Sequence, residues 1–151
     1  MRSSEYPTIF EGYMNKKLLL GFVLVYLVLL LLEYLEHSVL FATTYQSLPN
    51  LFRPPEETKT WIVLIDYFVF AFAFTFIFSK GHEGKGVMEG VRYGFYISLL
   101  TSVTYSFALH ASMPMPFSLA LQRALVGIVQ LVIYGVILST VFGKKDAPAA
   151  G

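Results

Sequence analysis

"LLLGFVLVYLVLLLLEYLEHSVLF", residues 18–41, is apolar from Leu18 to Leu32 and then sets Glu33, Glu36 and His37 among leucines and a phenylalanine. A helix rising about 1.5 Å per residue needs roughly 20 such residues to cross about 30 Å of hydrocarbon, and this run has them. It is read as a first membrane span at about 18–42. The question it raises is what two carboxylates and an imidazole do inside it.

Three more segments reach the same length, at about 60–79, 91–112 and 117–142. The expected fold is all-α: a four-transmembrane-helix bundle forming one integral membrane domain over residues 1–151. The second segment, "DYFVFAFAFTFIF", carries Phe at 68, 70, 72, 74, 76 and 78, a period of two that suggests a strand when taken alone. Length decides for a helix, because a lone strand in lipid leaves its backbone groups unsatisfied. Alternating Phe then spreads rings around the helix, which suits a lipid-facing surface.

Composition agrees. Charged residues are 14% of the 151, against about 25% in an average soluble protein. The absence of cysteine excludes disulfides, thiolate metal ligands and cysteine nucleophiles, and a formal net charge of +1 makes no case for nucleic acid. The first apolar run exceeds a signal-peptide core and is expected to stay in the mature chain.

Basic residues set the expected direction. Arg2, Lys16, Lys17, Lys80, Lys85, Arg92, Lys144 and Lys145 flank the ends that would share one side, while Arg53 and Lys59 lie on the other. Both termini are therefore expected in the cytoplasm. The loop at 43–59, with Pro49, Pro54 and Pro55, and the turn "SMPMPF" fall outside, with Trp61 and Tyr45 in an outer aromatic belt.

Ionisable groups are costly in a membrane and tend to face the bundle interior and pair. Counting rise inward from the outer helix ends places Glu36, His37, Asp66 and Arg123 roughly 7 to 9 Å deep, Glu33 at about 13 Å and His110 at about 3 Å. Helical spacing groups Tyr26, Glu33 and His37 on one face, Ser98, Thr101, Ser102 and Tyr105 on a second, and Arg123, Gly127, Gln130 and Tyr134 on a third. An outward-side polar cluster of Glu33, Glu36, His37, Asp66, His110 and Arg123 is expected, with Arg123 pairing Glu36 and Asp66.

Three carboxylates against one guanidinium leave two negative charges uncovered. Protonation, charged histidines or a bound cation would each cover them. Glu33, Glu36, His37 and Asp66 are accordingly candidate ligands for zinc, manganese or iron, although the paired Glu-x-x-His elements of di-iron bundles are missing. His37 and His110 also suggest axial haem ligands. No cofactor is required by the sequence.

"GHEGKGVMEGVRYG", residues 81–94, resembles a phosphate loop but lacks the Gly-Lys-Ser/Thr ending and a preceding strand. Its spacing favours helix packing. Gly86, Gly90 and Gly94 are four apart and continue into Ser98 and Ser102, a small-residue row along which another helix can approach closely. Alternatively Gly81, Gly84 and Lys85 hold an anionic lipid headgroup.

A polar-ended first helix, "KGHEGKGVMEGVRYG" opening the third and "MPMPFSLALQ" opening the fourth together resemble a group of small four-helix bacterial integral membrane proteins to which no activity attaches. The resemblance runs from about residue 15 to 143 and implies the fold and a place in the bacterial cytoplasmic (inner) membrane. No catalytic residue is expected. The function anticipated is that of a non-catalytic accessory or structural subunit, with the lipid bilayer, other membrane subunits or further copies of the chain as partners. The alternative is a cation, proton or metal binding protein or transporter using the polar cluster.

Overall fold

The computed structural model describes residues 16–48, 51, 53 and 57–143. Arg2, Lys144, Lys145, Pro49, Pro54 and Pro55, with both termini, lie outside the described residues. All described elements are helical: α1 (Lys16–Leu35), a π turn (Glu36–Leu40), α2 (Ala42–Gln46), α3 (Thr60–Gly81), α4 (Val87–Ser98), a second π turn (Leu99–Val103), α5 (Thr104–Ser112) and α6 (Phe117–Phe142). Three stretches are long and apolar enough to cross a membrane: Lys16–Leu40, Thr60–Gly81 and Phe117–Phe142. The fourth helical run, Val87–Ser112, is divided by its π turn into pieces of 12 and 9 residues.

Helix α6 packs against α1 on one side and against α4 and α5 on the other, while α3 leans mainly on α1. Neighbours run antiparallel. The Lys17 ammonium at the start of α1 donates to the Phe142 carbonyl at the end of α6, 2.7 Å away, and Gly90 near the start of α4 faces Gly135 on α6. Lys16, Lys17, Lys80, Lys85 and Arg92 consequently lie toward one end of the molecule, with Trp61, His110 and Phe117 toward the other.

Side chains on α1, α3 and α6 converge on a core of Val25, Leu29, Ala71, Phe74, Phe78, Leu131, Tyr134 and Leu138. The Phe run divides by the helical period: Phe74 and Phe78, four apart, are 2% exposed, whereas Phe68 and Phe72 are exposed. Rings were expected on the lipid surface all round, and tertiary packing turns these two inward. The Tyr93 ring lies tilted with its centroid 4.7 Å from that of Phe74, and its hydroxyl donates to the Phe74 carbonyl at 2.6 Å. A smaller core of Phe41, Met115, Leu119 and Ala120 closes the opposite end under α2.

The closest helix approach is between α4 and α6. A Cβ built on Gly90 would fall 2.5 Å from the Gly135 carbonyl carbon, and one on Gly94 would fall 2.6 Å from that of Leu131. Carbon atoms pack at about 3.5–4.0 Å, so nothing larger than hydrogen fits at either position. Ser98 is fully buried in the same seam, and the Ser102 side chain occupies the space beside Gly127. Gly86 stands just before α4 at φ 81, a left-handed conformation that glycine adopts without penalty.

Candidate functional site: a carboxylate-lined groove between helices

At the first π turn, hydrogen bonding from i to i+5 in place of i+4 shifts the residues that follow relative to a regular helix. Glu36 points inward at 7% exposure, while the side chain of His37 is 43% exposed. Tyr26 and Glu33 are half-buried and His37 is exposed at the end of that face, so the deeply buried carboxylate of this helix is Glu36. Glu36 Oε2 accepts a hydrogen bond from the Gln130 amide at 2.9 Å. One turn earlier, Glu33 Oε2 accepts from the Tyr67 hydroxyl at 2.8 Å, tying α1 to α3. His37 Nδ1 lies 3.0 Å from the Glu33 carbonyl and 3.7 Å from its carboxylate, within its own helix.

Arg123 does not pair with Glu36 or Asp66 as anticipated. Its guanidinium donates to the Tyr45 hydroxyl at 2.8 Å, tying α6 to α2, and the ion pairs among the described residues do not include it. Tyr45 accordingly belongs to this interior contact, whereas Trp61 alone is openly exposed. Asp66 is exposed because α3 barely touches α6, which leaves its carboxylate on a wall facing a gap. His110 is taken up by the α5–α6 turn, with Nδ1 2.6 Å from the Met115 carbonyl and its ring 5.6 Å from Phe117.

Of the expected six residues, Glu33, Glu36, His37 and Arg123 stay within electrostatic reach of one another, with Tyr45 between the Arg123 guanidinium and the His37 ring, whereas Asp66 and His110 make contacts elsewhere. No three His, Asp or Glu side chains among the described residues gather as a metal-holding group. Glu33, Glu36, His37 and Asp66 do not gather as one ligand set: Glu36 turns to Gln130, Glu33 to Tyr67, and Asp66 is exposed toward the gap.

Three of the polar faces do meet elsewhere. A cavity of about 620 Å³ opens between α3 and the second π turn with α5, and is lined by Glu33, Asp66, Tyr67, Thr101, Ser102, Tyr105, Gln130 and Tyr134 among apolar Leu29, Phe70, Leu100 and Leu131. Its base is formed by α1 and α6. The second π turn shapes one wall, and threonines satisfy the carbonyls it disturbs: the Thr101 hydroxyl donates to Ile97 O at 2.8 Å and that of Thr104 to Leu100 O at 2.6 Å. Neither His37, His110 nor Arg123 lines it.

The glycine-rich loop turns its donors on the chain itself. Glu89, in the first turn of α4, accepts backbone N–H bonds from Glu83 at 2.5 Å and Lys85 at 2.8 Å, and lies 3.2 Å from the His82 ring. Burial pushes this carboxyl up, but donation from Glu83, Lys85 and Gly84 together with His82 outweighs it, and the group titrates below its ordinary value. The Lys85 ammonium pairs with Glu83. The backbone donors of this loop thus meet the chain's own Glu89 carboxylate. The readable signal was an acidic residue three positions after a glycine at a helix start.

Tyr67, Tyr45 and the His82–Glu89 pair were missed as structural partners. Tyr67 stands beside Asp66 in sequence, and only the rotation of α3 against α1 tells which of the two meets Glu33. No family model, no curated protein and no solved structure matches the chain.

Proposed function

We propose that the chain is a non-catalytic integral membrane protein that crosses the bilayer four times, with both termini cytoplasmic, and serves as an accessory or structural subunit. Its assembly is either with other membrane subunits or with copies of itself, in the bacterial cytoplasmic membrane. The observation that supports this reading is how the interior polar side chains are used. Glu33 with Tyr67, Glu36 with Gln130 and Arg123 with Tyr45 each join two helices, so they hold the fold. None couples a nucleophile to a base.

Counting residues 91–112 as the fourth crossing, with Glu89 and the glycine-rich loop just outside it, is supported by the packing of this run along α6 and by the basic residues gathered at one end. The cysteine-free chain allows a direct test. Single cysteines at Ser47 and Ser112 should react with an impermeant maleimide from outside the cell, and one at Ala149 should not. The reversed pattern would overturn the orientation. Mass spectrometry of the protein extracted from its own membrane in mild detergent should find partner chains or a defined homo-oligomer, and a lone monomer would overturn the subunit role.

A second reading, intramembrane binding of a cation-bearing ligand, is favoured by the cavity. Two carboxylates face it, and no Lys, Arg or His lines it.

A further inference from the structure

The groove continues beyond its carboxylates. A second cavity of about 220 Å³ shares Phe70, Leu100 and Thr101 with the first and runs toward Ala73, Ile77 and Ile97. Its polar groups are already engaged: the Tyr93 hydroxyl donates to Phe74 O and the Thr101 hydroxyl to Ile97 O. From Asp66 to Ile77 the helix rises about 16 Å, so a polar upper chamber opens into an apolar slot of alkyl-chain length.

The upper chamber carries two carboxylates and no cationic side chain. Glu33 gives one carboxylate oxygen to Tyr67 and leaves Oε1 without a hydrogen bond among the described residues. Asp66 is exposed on the adjoining α3 wall, one residue before Tyr67. An independent observation comes from Tyr134, which is 1% exposed and lines the chamber, with its hydroxyl lacking any hydrogen-bond partner. Buried polar atoms without partners are rare and call for a specific explanation, a bound group being one.

We propose that this groove binds a net-cationic, single-chain amphiphile, with an ammonium head between Glu33 and Asp66 and its tail along Phe70, Ala73 and Ile77. An ammonium supplies the donors these acceptors lack, and Tyr67, Tyr105 and Phe70 place aromatic rings around it. A phosphate-bearing headgroup would bring a like charge to two carboxylates with no cation in the lining to receive it. The assignment rests on the ligand-binding reading above and is independent of the subunit role.

The test uses the full chain in neutral phosphatidylcholine nanodiscs, with tritiated dodecylamine as probe at a pH where it is protonated. Saturable one-to-one binding is expected. The double variant Glu33→Gln with Asp66→Asn should weaken it at least about tenfold, and Tyr134→Phe by about threefold, with melting temperatures monitored to show that the fold persists. Ala73→Phe, which fills the slot, should weaken dodecylamine far more than butylamine. Lysophosphatidylethanolamine carries the same ammonium on a phosphate and should compete poorly.

Equal competition by that lipid would overturn the net-cationic class while leaving the ligand-binding reading in place. Unchanged affinity in the double variant would overturn the carboxylates as the head site. Absence of saturable binding by either amphiphile would overturn both.

Discussion

Gly94→Ala adds one methyl where α4 and α6 nearly touch, and the cost can be estimated from the geometry. The new Cβ would stand 2.6 Å from the Leu131 carbonyl carbon and 2.7 Å from the Val132 Cα, both backbone atoms that cannot swing aside. Restoring ordinary contact requires the helices to separate by about 1 Å, and a gap of that size forfeits a quarter to a half of each neighbouring dispersion contact. Overpacking of this kind costs typically about 1–3 kcal/mol, and alanine returns close to 1 kcal/mol of helix propensity. Because the clashing atoms are backbone the upper end of that range applies, leaving a net loss of about 2 kcal/mol for Gly94→Ala and a similar loss for Gly90→Ala, whose Cβ meets Gly135. Because either methyl separates the same pair of helices, the double variant should lose less than the sum. Gly81→Ala is the control, since no atom lies within 4 Å of its Cβ position. Reversible unfolding in mixed micelles, followed by loss of helical circular dichroism, measures all four. Parent-like stability in both Gly90→Ala and Gly94→Ala, or equal damage from Gly81→Ala, would refute the reasoning.

Two further predictions follow from the polar contacts. Glu89 has a carboxyl held below its ordinary value, so its contribution to stability is complete above the unfolded-state value near 4.5 and is lost as pH falls through the lower folded value; melting scans from neutral to strongly acidic pH should fall more steeply for the parent than for Glu89→Gln, and parallel curves would count against the loop cradle. Arg123→Leu should be destabilising, Tyr45→Phe should cost about 1.5–3 kcal/mol as a lost hydrogen bond to a charged group, and Asp66→Leu should fail to rescue Arg123→Leu in a double-variant melt; rescue would restore the Arg123–Asp66 pair that the geometry does not contain.

The helices themselves were legible in residues 18–41, 60–79 and 117–142, because in lipid the backbone must satisfy itself and apolar length alone then selects a helix. The small residues at Gly90 and Gly94 were legible for a similar reason: a spacing of four places them on one stripe, and lacking a side chain they suit a close approach whatever the partner. Which partner they meet was not, since Gly135 and Leu131 are set by how α6 rotates about its own axis. The polar cluster failed as a unit on the same ground. Depth along a helix can be counted from sequence, but which neighbour each face meets depends on packing: Glu36 turns to Gln130 on α6, and α3 leaning on α1 gives Glu33 to Tyr67 while turning Asp66 toward the groove. A run of carboxylates could thus be read from the linear order of residues. The cavity beside them belongs to the gap left where α3 and α5 are not closely packed, and only the tertiary arrangement creates that gap.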